Sequence, residues 1–209
     1  MNSLKQALIQ LKEDWRNSLL LGCIATIFVL LVRFVPYLSA FVISMGLLFL
    51  QEISNQYSQA RKWPQQFNFI KQHLLSFVVT ALILLPTSAL LGSAMGLLQS
   101  PQDILQTIPL SLGLLILALY FYLILNHALR LNMENDTSLA KAIDIVALAS
   151  IKNFKEYFLV SFYLSVAILI SGLLWGFGFI VTLPFVFFAT NHIYRHIKDK
   201  GALNRKTGI

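Results

Sequence analysis

Between residues 17 and 195 the sequence is dominated by apolar runs, and these limit the fold more than any other feature. A helix rises 1.5 Å per residue, so crossing a hydrocarbon core of about 30 Å takes roughly 20 apolar residues. Six runs approach that length: 17–34, 37–54, 72–97, 104–128, 157–174 and 177–195. Only 12% of the 209 residues are charged, against about 25% in soluble domains. One globular core cannot bury so much apolar surface, so a bilayer is the solvent expected. The fold expected is an all-α integral membrane protein. Residues 1–209 form one polytopic domain of six transmembrane helices in three hairpins. The first, second, fifth and sixth runs are short, and their helices are expected to continue past the hydrocarbon as amphipathic turns.

The links are of two kinds. "RFVPY" (33–37), "LQSPQD" (98–103) and "LLWGFG" (173–178) are short, with Pro36, Pro101 and Gly176 as turn residues. Segments 51–71 and 129–156 are longer and rich in charge. Fifteen of the sixteen Lys and Arg residues fall at the N-terminus, in the two long links or at the C-terminus, and only Arg33 falls on the other side. The positive-inside rule then places both termini in the cytoplasm. Trp15 and Trp63 fall at the inner interface and Trp175 at the outer one. A net charge of +7 and a pI of 9.6 would suggest nucleic acid for a soluble chain. Here orientation explains the charge, and no nucleic-acid partner is expected. Residues 1–17 mix both signs of charge, and no clear small-x-small cleavage site follows. A retained first span is expected. Cys23, in an apolar run, is the single cysteine and excludes an internal disulfide.

Each hairpin is preceded by an amphipathic stretch. Leu4, Leu8, Leu11, Trp15 and Leu19 recur at helical spacing, with Ser3 as an N-cap. "WPQQFNFIKQHLL" (63–75) has Pro64 at a helix start. The third stretch is capped by Thr137 or Ser138 and carries Leu139, Ala142, Ile143, Val146, Ser150 and Phe154. Trp15-Arg16-Asn17, Ile70-Lys71-Gln72 and Phe154-Lys155-Glu156 mark similar turns into the membrane. The pattern suggests an in-plane helix plus a hairpin, repeated three times.

"GFGFIVTLPFVFFATNHIYRHI" (176–197) contains Gly176, Gly178, Thr182-x-Pro184, Ala189 and Tyr194-Arg195. It resembles the closing helix of small six-span bacterial inner-membrane families. These include uncharacterised families and the membrane domain attached to some glycerophosphodiester phosphodiesterases. "SLAKAIDIVALASIKNF" (138–154) is similar to their interfacial helix before the last hairpin. The resemblance implies a six-helix fold in the bacterial cytoplasmic (inner) membrane and an association with lipids or the envelope. It implies no catalytic residue, and no soluble hydrolase domain is expected in this sequence.

Polar residues at membrane depth must be paired, and they raise functional questions. Asn-His-x-x-Arg occurs twice, as Asn126, His127, Arg130 and as Asn191, His192, Arg195. On a helix the Asn and Arg of each copy share a face. Both copies end runs that go from outside to inside. If those helices are neighbours, two arginines and their polar companions meet at one depth. Such a cluster suits an anionic head group, since Arg offers paired donors. The alternatives are helix ends whose arginines reach the interface and complement the helix dipole, or a catalytic or redox site. Glu52 could pair with Arg130 or Arg195. His127 with His192 could form an axial haem pair across two helices, and His192, His196 and Asp199 share one helix face at a spacing that metal sites use. Neither has a convincing donor set, so no cofactor and no metal is expected.

Ser88, Gly92 and Gly96 form a small-residue face for close helix contact, with another protein or a second copy. Pro86 and Pro184 lie mid-run and favour kinks. No Walker motif, nucleophile elbow or zincin motif occurs, and no acid lies near a bilayer midplane. An enzyme is therefore disfavoured. Binding or transport of lipid or envelope components is the leading expectation, with membrane lipids as partners. An assembly role in an inner-membrane complex is the alternative, and a redox protein using His127 and His192 a third.

Overall fold

A computed structural model describes residues 2–32, 39–57, 71–99, 104–135, 137–173 and 178–203. Several expectations lie outside these residues: Arg33, Pro36, Tyr37, Trp63, Pro64, Pro101, Trp175, Gly176 and most of the second in-plane helix. The described residues are helical throughout apart from turns, with no strand among them.

The N-terminal helix α1 (Asn2–Glu13) leads into α2 (Trp15–Val32) and α3 (Ser39–Tyr57). Then come α4 (Leu74–Ile83), α5 (Leu85–Gln99) and the long α6 (Ile104–Asn135). The chain ends in α7 (Leu139–Lys152), α8 (Phe154–Leu173) and α9 (Phe179–Asp199).

The junctions follow local chemistry. Asp14 separates α1 from α2, and its carboxylate accepts from Asn17 Nδ2 at 2.7 Å. Asn153 separates α7 from α8, and its amide donates back to Ala149 O at 2.9 Å. Both breaks fall within two residues of the sequence junctions. Ser138 is the N-cap of α7 in extended conformation. Ser3, expected as a cap, instead lies inside α1 and is buried.

Two helices are long and apolar enough to cross a membrane, by the described residues: Gln106–Asn135 and Phe154–Gly172. The pair α4–α5 makes a third if taken as one span, bent by 50°. Pro86 lies just past that bend; it has no N–H to give to the carbonyl four residues back. The expectation of six crossings is thus met only in part at the level of length and hydropathy. The polar residues that interest us are one cause: α9 carries Asn191, His192 and Arg195, and α3 ends in Gln51-Glu52-Ile53-Ser54-Asn55. Their polarity lowers the hydropathy of these two helices.

The helices close a ring. α2 packs on α3, α3 on α4 and α5, α5 on α6, α6 on α8, α8 on α9, and α9 back on α2. Outside the ring, α1 lies against α9 and α2, and α7 against α6 and α8. Ala142, Val146, Ala149 and Ser150 are the buried face of α7. On α1, Ala7 is buried and Leu4 and Leu11 pack beside it. Leu8 of α1 and Trp15 at the start of α2, grouped with that stripe by periodicity, point outward instead at 54% and 55% exposure.

α2 and α9 approach closely. Pro184 cannot donate, so the Ile180 carbonyl lacks its usual partner within α9. Gly22 of α2 sits directly on that carbonyl: a Cβ there would lie 1.8 Å from Ile180 O. Pro184 lies inside α9, which continues as one helix through it.

Candidate functional site at the ends of three helices

α6 has 32 residues, about 48 Å at 1.5 Å per residue. It outreaches a hydrocarbon core of about 30 Å, and its last turns carry Asn126, His127, Arg130 and Glu134. Side chains from α9 and α3 meet it there. Spans four and six of the sequence reading, α6 and α9, are thus in side-chain contact.

Arg130 organises the contact. It is 5% exposed. Its Nε donates to Glu134 Oε1 at 3.0 Å and its Nη1 to Asn191 Oδ1 at 3.3 Å. The guanidinium lies over the Tyr194 ring, 4.2 Å from the centroid, a cation–π arrangement strengthened by exclusion of water. Glu134 also accepts from the Tyr194 hydroxyl at 2.8 Å and from Lys198 Nζ at 2.6 Å. One carboxylate at the rim thus gathers three donors from two helices. Asn191 Oδ1 accepts a second bond, from Gln51 Nε2 at 2.8 Å, and Gln51 Nε2 also donates to Phe187 O at 2.9 Å. α3 is tied to α9 by one amide, and α9 to α6 by another.

His127 is fully buried. Its Nε2 lies 3.1 Å from Thr190 O, and its Nδ1 lies 2.9 Å from the Tyr157 hydroxyl. A carbonyl only accepts, so Nε2 carries the proton, and Nδ1 can accept from Tyr157. The ring also touches Tyr157 and Tyr194 at centroid distances of 5.5 and 5.3 Å. Both nitrogens are therefore occupied in joining α6 to α8 and α9.

The second copy divides differently. Asn191 is buried in the cluster. His192 is half-buried and turns toward α1, donating from Nε2 to Gln10 Oε1 at 3.0 Å. Arg195 is half-buried, within electrostatic reach of Arg130, Glu134 and Asp199. His196 faces Glu156 of α8 at 3.5 Å, and Lys200 reaches the same carboxylate. Asn126 is buried on α6. The twin motif therefore supplies an interior group (His127, Arg130, Asn191) and an outer pair (His192, Arg195). His127 and His192 face different neighbours. Among the described residues, no group of three or more His, Cys, Asp or Glu is placed to hold a metal ion.

Sequence reasoning missed Gln51, Glu134, Tyr157 and Tyr194. Glu134 was readable, since it stands four residues beyond Arg130 on one helix face. Gln51 carried no local signal, because its partners lie 136 and 140 residues away. Glu52, named as a possible partner for Arg130 or Arg195, is buried beside the cluster and within electrostatic reach of Tyr194. Glu134 bonds Arg130.

The chain matches no family model, no curated protein and no solved structure.

Proposed function

We propose that this chain is a multi-pass protein of the bacterial cytoplasmic membrane that binds, and as a transporter would move, lipid or envelope components. In this reading α2, α3, α4–α5, α6, α8 and α9 are the six crossings, and both termini are cytoplasmic. The bias of Lys and Arg to one side supports that orientation. One observation carries the lipid reading. Beside the Arg-bearing ends of α6 and α9, α1 and the start of α2 hold Leu8, Ile9 and Trp15 outward, and α7 and the start of α8 hold Leu148, Ile151 and Phe154 outward. Lys141, Lys152 and Lys155 are exposed among the latter. Outward apolar side chains flanked by cations suit helices lying in an anionic leaflet. His192 and Arg195 form the edge of the head-group site, with Asn126, His127, Arg130 and Asn191 set behind them.

Native mass spectrometry in mild detergent tests this. The wild-type protein should retain phosphatidylglycerol over phosphatidylcholine, and His192→Gln with Arg195→Gln should lower that preference several-fold. Equal retention of both lipids by the wild-type protein would refute the reading.

An assembly role is the second reading. Gly96 faces open space on α5, as a helix-contact residue should. Ser88 of the same face is engaged inside the molecule, 2.6 Å from the Ser44 hydroxyl. Crosslinking that captures a complex in wild type and loses it in Gly96→Leu would favour assembly over lipid binding.

A further inference from the structure

Asn-His-x-x-Arg occurs twice by identity, but α3 holds a degenerate third copy at the matching place: Gln51-Glu52-Ile53-Ser54-Asn55. Each copy begins with a carboxamide near the end of a unit's closing helix. Gln51, Asn126 and Asn191 are 2%, 6% and 4% exposed, and the residues three further on, Ser54, Leu129 and Tyr194, are 3%, 2% and 1%. The packing is cyclic in the same sense. α7, which opens the third unit, lies on α6, which closes the second; α1, which opens the first, lies on α9, which closes the last. Two units in a linear array would leave α1 without that neighbour.

We propose that the chain is an internal triplication, and that the amide-bearing ends of its closing helices form a buried site for a hydroxyl group. The hydrogen bonds fix how the amides face. Gln51 Nε2 donates to Phe187 O and Asn191 Oδ1, and both are pure acceptors, so the Gln51 amide cannot be turned over. Asn191 Oδ1 accepts from Arg130, a pure donor, so the Asn191 amide is fixed as well. An acceptor, Gln51 Oε1, and a donor, Asn191 Nδ2, are left over. Both are buried and have no hydrogen-bond partner among the described residues, and the same holds for Ser54 Oγ, three residues beyond Gln51. Buried polar groups of native proteins are almost always satisfied. A carboxylate or phosphate lacks the donor Gln51 needs; an ammonium lacks the acceptor Asn191 needs. A hydroxyl supplies both, and Arg130 already has its counter-charge in Glu134. Ordered water and the glycerol hydroxyl of a lipid share this chemistry.

This inference goes beyond the lipid reading and stands without it. Its test is a density map of the full chain in nanodiscs, at a resolution that shows ordered water. One map is made in phosphatidylcholine and one in phosphatidylglycerol. Density is expected within hydrogen-bonding distance of Gln51 Oε1 or Asn191 Nδ2. An isolated peak in both maps identifies water; a peak continuous with lipid only in phosphatidylglycerol identifies the glycerol hydroxyl; both outcomes support the site. Closed packing with no peak, or another protein group bonded to those atoms, overturns it. Gln51→Met with Asn191→Leu removes both unmet groups and should abolish the peak while the Arg130–Glu134 pair stays in place. A peak that persists in this variant also overturns the assignment. Loss of lipid selectivity in the Arg195 variants would leave these outcomes unchanged, so the two readings fail separately.

Discussion

Arg130 shows how one residue can be ordinary in the sequence and decisive in the structure. A cation at a helix end needs only water or lipid phosphate nearby. Buried at 5% exposure, it needs partners, and it has Glu134, Asn191 and the face of Tyr194. Removing one member of a buried pair strands the other. Arg130→Met should therefore cost about 3–5 kcal/mol in unfolding, while Arg130→Met with Glu134→Leu should recover much of that loss. Denaturant titration in micelles measures both; simple additivity would contradict the pairing. Tyr157→Phe leaves His127 Nδ1 without its hydroxyl and should cost about 1–3 kcal/mol by the same measurement. No loss would mean that the His127–Tyr157 bond does not form. The repeated motif pointed to this depth and to these helices. It did not separate the interior group from the outer pair, since partner choice depends on how α3, α6 and α9 rotate about their own axes. Nothing local in the sequence records that rotation.

At the scale of the element, most of the fold was legible. Apolar runs and junction chemistry located the described helices, including the breaks at Asp14 and Asn153. Pro86 does lie at a bend. Pro184 leaves α9 continuous, and the carbonyl it frees lies against Gly22 of α2. Such a contact between distant helices leaves no local pattern to read. It gives a sharp contrast between glycines. A methyl group at Gly22 would meet Ile180 O at 1.8 Å, whereas Gly96 faces open space. Gly22→Ala should force α2 from α9 and lower the melting temperature by several degrees or more, roughly the effect of an overpacked core at about 1–3 kcal/mol. Gly96→Ala should be neutral or stabilising by up to about 1 kcal/mol, since alanine is the better helix former. A thermal shift assay in detergent ranks the two variants, and equal melting temperatures would deny the seam. Periodicity also misgrouped Leu8 of α1 and Trp15 of α2. Both were placed with the packed stripe because hydropathy does not tell a side chain that faces protein from one that faces outward.

For the whole molecule, the question is how many helices cross. Among the described residues, length and hydropathy alone assign two, or three with the bent pair; a direct test distinguishes these from six. Cys23 provides one: it is the single cysteine of the chain, and it is exposed on α2. Maleimides react with the thiolate, which forms only where water reaches the sulfur. If α2 crosses, a membrane-impermeant maleimide should leave Cys23 unlabelled in intact membranes and label it fully after denaturation. Rapid labelling in intact membranes would rule out that crossing. The closed ring also has a consequence in time. Synthesis runs from α1 to α9, yet α1 and α2 pack more extensively against α9 than against each other. α1 and α2 are thus made well before the helix that they pack on most. Until α9 arrives, Gly22 waits at an open seam. A chain that stalls before α9 leaves an unsealed ring rather than a smaller protein, with α1 displayed to proteases.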